Sequence, residues 1–170
     1  MSTFAIKSIP QLEKHLIYGG SFSDILNSLD ISTEAVAEYC NWNTLEASRM
    51  CLFQSDCYQL ELVCWEFGQR TPIHHYPKLE SWMYVVEGTL VEENYTLPSN
   101  GTPYHKTVLE TGEKRYRNTY MGLQRLVNKH PGRSISLHLY NGTVEHWQVL
   151  NAKGTELITA ARPMLELNTL

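Results

Sequence analysis

The densest group of residues that could do chemistry is the segment Gly68-Gln-Arg-Thr-Pro-Ile-His-His-Tyr76. Successive side chains of a strand point to opposite faces, so His74 and Tyr76 would share one face and His75 would point away from it. A neutral imidazole is the commonest metal ligand in proteins, whereas a phenol must first lose a proton whose pKa is about 10. The segment therefore predicts a polar site within a β structure.

A second polar row lies in Ser134-Ile-Ser-Leu-His-Leu-Tyr140, where Ser136, His138 and Tyr140 alternate with aliphatic residues. If this row faces the interior of a barrel, its polar groups must be hydrogen-bonded, because an unpaired polar group in an apolar interior is costly. We therefore expect mutual hydrogen bonding of the three side chains. The alternative is that the row forms the outward, solvated face of its strand.

The first third of the chain is predicted to be helical. Phe22, Ile25, Leu26 and Leu29 recur with helical spacing after the candidate cap Ser21. A helix opening at proline is expected at Pro10–Ile17, and another after a cap at Ser32 or Thr33.

From Cys57 onwards the period changes to two, which indicates β-strands. Besides a strand ending near Cys64, the expected strands are Trp82–Glu87, Thr89–Tyr95, His105–Leu109, Gln124–Asn128, Ser134–Tyr140 and His146–Val149. Glycine-containing turns separate them at intervals typical of an all-β barrel. The basic run at 114–117 is predicted to be a solvated loop edge.

Composition limits the classes of function. The 14 basic and 18 acidic residues leave a formal charge of −4, which argues against a nucleic-acid partner. No run of about 18 apolar residues is present, so no membrane partner and a cytoplasmic location are expected. The 170 residues and 42% hydrophobic content predict one domain spanning 1–170, helical over about 1–50 and a barrel over about 51–160. The four cysteines are predicted to be reduced, buried thiols.

The spacing of Gly68, His74 and Gly88 is similar to that of the first cupin motif. In that motif Tyr76 occupies the place of a second histidine and Ser81 the place of an acidic residue. The second cupin motif corresponds to Gln124-Arg-Leu-Val-Asn128, with Gln124 in place of its histidine. The resemblance implies a mostly β fold, a cupin double-stranded β-helix barrel (jelly-roll-like), here with two to three N-terminal α-helices.

More specifically, the chain resembles the cysteine dioxygenase family from about Cys57 to Leu150. The resemblance lies in Cys64-Trp65 with Pro72-Ile73-His74, in the run Val86–Glu92, and above all in Ser134–Tyr140. It implies a mononuclear non-haem Fe(II) enzyme, an oxidoreductase that incorporates two oxygen atoms from dioxygen into a small thiol such as cysteine.

The resemblance also implies the metal ligands. His74, Tyr76 and Gln124 fill the three histidine positions, and His75 and Glu80 are candidate recruits from neighbouring positions. An amide oxygen and a phenol are weaker ligands of Fe(II) than imidazole, so affinity for iron should fall steeply.

Catalytic and substrate residues follow from the same resemblance. Ser136, His138 and Tyr140 would form the row beside the bound thiol and oxygen, and Arg49 would clamp the substrate carboxylate with its planar fork. Tyr58 is a second candidate for substrate binding. Ser81 replaces a cysteine that some family members crosslink to the strand tyrosine, so that crosslink cannot form.

Three functions remain open at this point. The first is an Fe(II)-dependent thiol dioxygenase. The second is a cupin that has lost the metal chemistry and binds a small carboxylate or amino acid, or acts as an interaction protein. The third is a ferric site with Tyr76 as a phenolate ligand.

Overall fold

A computed structural model describes residues 4–166 of the chain, and of Glu166 only the backbone. The limits predicted for the domain, at residues 1 and 170, lie outside the described residues. The helices are α1 (Ile9–Tyr18), α2 (Phe22–Asn27) and α3 (Thr33–Val36), followed by a 3-10 turn at Ala37–Tyr39.

Serine side chains cap the first two helices. Ser8 Oγ accepts a hydrogen bond from the Gln11 amide, and Ser21 Oγ accepts one from the Asp24 amide, as expected for N-cap residues. The prediction of Ser21 as a cap is thereby confirmed, whereas α1 begins before Pro10 because Ser8 provides its cap.

The strands found among residues 4–166 are β1 (Ser48–Gln54), β2 (Gln59–Trp65), β3 (His74–His75), β4 (Ser81–Glu87), β5 (Thr89–Tyr95), β6 (His105–Glu110), β7 (Lys114–Arg117), β8 (Leu123–Val127), β9 (Ser134–Tyr140), β10 (His146–Leu150), β11 (Leu157–Ala161) and β12 (Leu165–Glu166). All six strands predicted between Trp82 and Val149 lie within one residue of their predicted limits: β5 and β9 match them, and β8 is shifted by one residue. The prediction of a loop at 114–117 was wrong, since this run forms β7.

The strands form two six-stranded sheets within the described residues. Their orders are β12-β1-β2-β9-β4-β7 and β11-β10-β3-β8-β5-β6. Every pairing is antiparallel except that of β1 with β12. The sheets pack face to face, because one apolar cluster joins Val63, Met83 and Val85 of the first sheet to Leu90 and Leu126 of the second.

The first sheet has two different faces, as the pleat requires. Its outer face is aliphatic and buries Leu60, Leu62 and Leu137 against helix residues such as Leu12 and Leu26. Its inner face carries the polar residues of β2 and β9, which are buried nonetheless. The fold is therefore the predicted mostly β barrel with N-terminal helices on one side, and its polar site lies inside the barrel.

None of the helices among residues 4–166 is both long and apolar enough to cross a membrane.

Candidate functional site

His74 and Gln124 face each other across the pairing of β3 with β8. His74 is 2% exposed, and its Nδ1 lies 2.9 Å from the carbonyl oxygen of Pro72. Because that carbonyl can only accept, Nδ1 carries the proton and Nε2 is left as a lone-pair donor. Burial, reinforced by nearby arginines, lowers the pKa of His74 to about 3, so the imidazole is neutral.

The polar row of β9 faces the barrel interior. Trp65 Nε1 donates to Ser136 Oγ at 2.9 Å, and Ser136 Oγ lies 2.8 Å from His138 Nε2. Since the indole can only donate, the serine hydroxyl is free to donate to His138. Burial, with the charges of Arg49 and Arg162, holds the pKa of His138 well below its ordinary value.

Hydrogen bonding within this row differs from the prediction at one residue. Ser136 and His138 bond as expected, but the hydroxyl of Tyr140 accepts from Arg162 Nη1 at 3.2 Å instead of joining its neighbours. The prediction that all three side chains are hydrogen-bonded to one another was therefore wrong. The reason is that Arg162, which follows all the predicted strands in the sequence, donates to the tyrosine hydroxyl.

A buried cluster of Arg49, Glu61 and Arg162, called here the Glu61 cluster, lies at one side of the pocket. Arg49 Nη1 donates to Glu61 Oε2 at 2.8 Å, and Arg162 forms a two-pronged ion pair with both carboxylate oxygens. Gln59 Nε2 adds a 2.6 Å bond to Glu61, whose side chain is fully buried. Two guanidinium groups against one carboxylate leave one positive charge in this cluster.

Sequence reasoning missed both Glu61 and Arg162. A signal for Glu61 was present, since a charged residue stands on the inward face of β2, opposite the aliphatic face. No local pattern pointed to Arg162, which follows β11 and meets Glu61 across 101 residues of chain. Its Nε is buried without a partner among the described residues.

Tyr76 is held by the same arginine. Its hydroxyl accepts from Arg162 Nη1 at 2.9 Å, and its ring contacts those of His74, Tyr140 and Trp147. The phenolic oxygen of Tyr76, which would have to ligate a metal, therefore already accepts a hydrogen bond from the positively charged Arg162.

A second cluster, called here the Glu92 cluster, consists of Glu92, Arg115 and Arg117. Arg115 Nη2 and Arg117 Nη1 both donate to Glu92 Oε1, at 2.9 and 3.1 Å. Arg117 also donates to Asn94 Oδ1 at 2.8 Å and to two backbone carbonyls. This cluster too carries one uncompensated positive charge, and its contacts explain how Arg117 can be buried.

The pocket between the clusters is small. Its volume is about 20 Å³, room for one or two water molecules. The side chains that line it include Arg49, His74, Tyr76, Ser81, Glu92, Arg115, Arg117, Gln124, His138 and Tyr140.

The structure brings most of the residues predicted from sequence into this pocket, but not all. Arg49 is there, 7% exposed, while its role toward a substrate stays a prediction. The placement predicted for Tyr58 was wrong, because its ring stacks on Phe22 at 5.8 Å under helix α2, outside the barrel. The candidate recruit Glu80 is exposed on a loop, and His75 is half-buried on the opposite side of β3 from His74, facing Gly122.

The donor set does not fit a divalent iron. Within residues 4–166 no three histidine, cysteine, aspartate or glutamate side chains come close enough together to hold a metal ion. Of the three expected ligand positions only His74 offers an imidazole, since Gln124 offers an amide and the Tyr76 hydroxyl is bonded to Arg162. The surplus positive charge of the Glu61 cluster also opposes a second cation.

Comparison with known proteins agrees with the fold and with the motifs. The sequence profile described as cysteine dioxygenase type I matches residues 12–150. A Klebsiella pneumoniae protein with a double-stranded β-helix domain is similar over 67% of this chain and 92% of its own, with 17% identity and a TM-score of 0.57. A cupin superfamily protein from Desulfitobacterium hafniense covers 64% of this chain and 88% of its own, with 18% identity and a TM-score of 0.50. At these identities the two structures show the fold alone, whereas the profile covers most of the sequence, so the chain belongs to the cysteine dioxygenase type I family.

Proposed function

We propose that this family member binds a small carboxylate in its barrel pocket and holds it with buried arginine, without a resident iron ion. The observation that carries the proposal is the Glu61 cluster, in which a single carboxylate serves two buried guanidinium groups. A buried charge without a partner is costly, so the surplus cation favours an anionic ligand.

Arg49 is the residue best suited to contact the ligand. Its guanidinium makes one hydrogen bond among the described residues, to Glu61, and it lines the pocket, so Nε and Nη2 remain available to an acceptor. A guanidinium presents parallel N–H groups that match the two oxygens of a carboxylate. Its Cζ lies 6.0 Å from the ring centre of Trp147, which restricts the orientation of the fork.

The neighbouring groups support an anion over a cation. His74 and His138 are neutral, and the buried hydroxyl of Tyr140 is a hydrogen-bond donor because burial raises its pKa well above the ordinary value. A carboxylate that leaves water loses its hydrogen bonds to the solvent, and hydrogen-bond donors together with a net positive charge compensate for that loss.

Fe(II)-dependent thiol oxidation is the competing function. The linked row of Trp65, Ser136 and His138, with Tyr140 at its end, supports it as a pattern shared with the family. The donor set of the pocket opposes it, because His74 is the only imidazole at the three expected ligand positions, and the Nε2 atom of the second lining imidazole, His138, is already bonded to Ser136 Oγ.

Binding of acetate, propionate and glycine to the purified protein, measured by calorimetry, tests the proposal. We expect Arg49→Gln to weaken carboxylate binding at least about tenfold, because a charge-assisted hydrogen bond is worth about 1.5–3 kcal/mol. The variant should stay folded, since Glu61 keeps its ion pair with Arg162. Arg133→Gln is the matched control, because Arg133 is an exposed arginine paired with Glu66 outside the pocket.

Elemental analysis before and after loading with ferrous iron tests the competing function. Iron far below one atom per chain is the expected result. Iron near one atom per chain, together with oxygen uptake that depends on cysteine or a related thiol, would contradict the proposal.

A further inference from the structure

Both ends of the pocket carry a surplus positive charge. The Glu61 cluster and the Glu92 cluster each set two guanidinium groups against one carboxylate. Arg49 of the first and both arginines of the second line the same pocket. The four guanidinium groups and two carboxylates leave two positive charges around one cavity.

The strand register places the clusters opposite each other. Glu61 pairs with His138, His138 with Met83, and Met83 with Arg115, across the neighbouring strands β2, β9, β4 and β7. These residues therefore form one cross-strand row on the inner face of the sheet. Three strand spacings of about 4.8 Å separate the backbones at its two ends by about 14 Å, and the long side chains reach inward from there.

The charges of both clusters act on the residues between them. Burial lowers the pKa of His74, and the charges of Arg49, Arg162 and Arg117 lower it further. The first two arginines belong to the Glu61 cluster and the third to the Glu92 cluster, so both clusters act on this histidine. Burial also lowers the pKa of Arg117 despite the presence of Glu92, as expected for a guanidinium that is short of counter-charge. Of the described residues that line the pocket, Glu92 is the only carboxylate.

From this arrangement we infer that the ligand is a short dicarboxylate, with one carboxylate at the Glu61 cluster and the other at the Glu92 cluster. The inference rests on the proposed function, which requires only one carboxylate, and adds the second anionic group. A dianion supplies the two negative charges that the clusters leave uncompensated, and a monocarboxylate supplies one.

The small pocket volume favours the shortest dicarboxylates. About 20 Å³ is less than any dicarboxylate needs, so lining side chains must move on binding. Arg115 is the member of the Glu92 cluster that can move, since 30% of its side chain is exposed while Arg117 is 8% exposed. The shortest dicarboxylates need the least displacement, so malonate should bind more tightly than succinate.

Calorimetric titration with matched pairs of ligands tests the inference: malonate against propionate, and succinate against butyrate. We expect each dicarboxylate to bind at least about tenfold more tightly than its monocarboxylate partner. Even at a separation as large as about 12 Å, one extra charge pair gives that factor at an effective dielectric constant of about 20, and direct contact with the Glu92 cluster would give more. The preference should shrink as salt is raised.

Arg115→Gln tests the second contact. It neutralises the surplus charge of the Glu92 cluster but leaves Glu92 paired with Arg117, so no buried carboxylate is left alone. The ratio of monocarboxylate to dicarboxylate dissociation constants should fall to about one in this variant and stay at its original value in Arg133→Gln.

The outcomes separate the inference from the proposed function. If monocarboxylates bind in an Arg49-dependent manner but dicarboxylates bind no more tightly, the inference is overturned and the proposed function stands. If neither class binds, both are overturned. If inorganic phosphate or sulfate binds as tightly as malonate, the site is selective for small oxyanions in general and the dicarboxylate assignment is wrong.

Discussion

Glu61→Gln is the substitution that most directly tests the role of the buried charges. It changes the shape of the side chain little, but it removes the carboxylate that pairs with both Arg49 and Arg162, which are 7% exposed each. Removing one partner of a buried ion pair costs about 3–5 kcal/mol, because the other charge is left uncompensated. Since a domain of ordinary stability unfolds at about 5–15 kcal/mol, the loss should be evident in urea unfolding followed by circular dichroism.

The same substitution should change the response to ligand. In the variant two guanidinium groups lack a counter-charge, so an added carboxylate should raise the stability of the variant more than that of the original protein. Glu66→Gln is the control, because Glu66 pairs with Arg133 at the surface and should cost less than about 1 kcal/mol. A loss of stability in Glu61→Gln no larger than in Glu66→Gln would refute the argument from charge balance, and so would an equal response of variant and original protein to malonate.

Acidification from pH 7 to 5.5 should lower the free energy of unfolding by about 2 kcal/mol through His74 and His138, as urea unfolding would measure. Both folded-state pKa values lie below the unfolded value of about 6.5, so unfolding takes up protons as the pH falls below 6.5 and stability present at neutral pH is lost. His138→Gln should halve this dependence, and an unchanged slope would contradict its neutral state. Gly88→Ala should cost more than about 1 kcal/mol in the same assay, because Gly88 has φ 79° and an added Cβ would overlap the adjoining strand. Replacing both Tyr76 and Gln124 by histidine should raise Fe(II) affinity at least about tenfold by metal titration, and no gain would show that the ligand losses do not limit binding.

Much of the fold could be predicted because its signals are local. The alternation in β9 required only neighbouring residues, and it correctly placed Ser136 and His138 on one face with a hydrogen bond between them. The cap at Ser21 is equally local. Tyr58 lies on the outer face with Leu60, as the same alternation indicates, and therefore not in the pocket where the family resemblance implied it.

The charged clusters could not be predicted because their partners are distant in sequence. Arg162 meets Glu61 across 101 residues, and Arg117 meets Glu92 across 25. A short basic run such as 114–117 has the composition of a loop, but pairing with β4 makes it a strand, and Glu92 on the facing sheet compensates its buried arginine. Sequence patterns report which face a residue occupies, whereas charge compensation depends on tertiary contacts.

The loss of metal ligands and the presence of Arg162 are physically linked. A divalent ion bound to the Tyr76 oxygen would lie about 2 Å from it, and Arg162 Nη1 lies 2.9 Å from the same oxygen. The two cations would then be at most about 5 Å apart, a repulsion of about 7 kcal/mol even at an effective dielectric constant of 20. This repulsion opposes a divalent ion on the Tyr76 oxygen while Arg162 is bonded to the same oxygen. Glu61 contributes to this effect, because its ion pair holds Arg162 against the hydroxyl groups of Tyr76 and Tyr140.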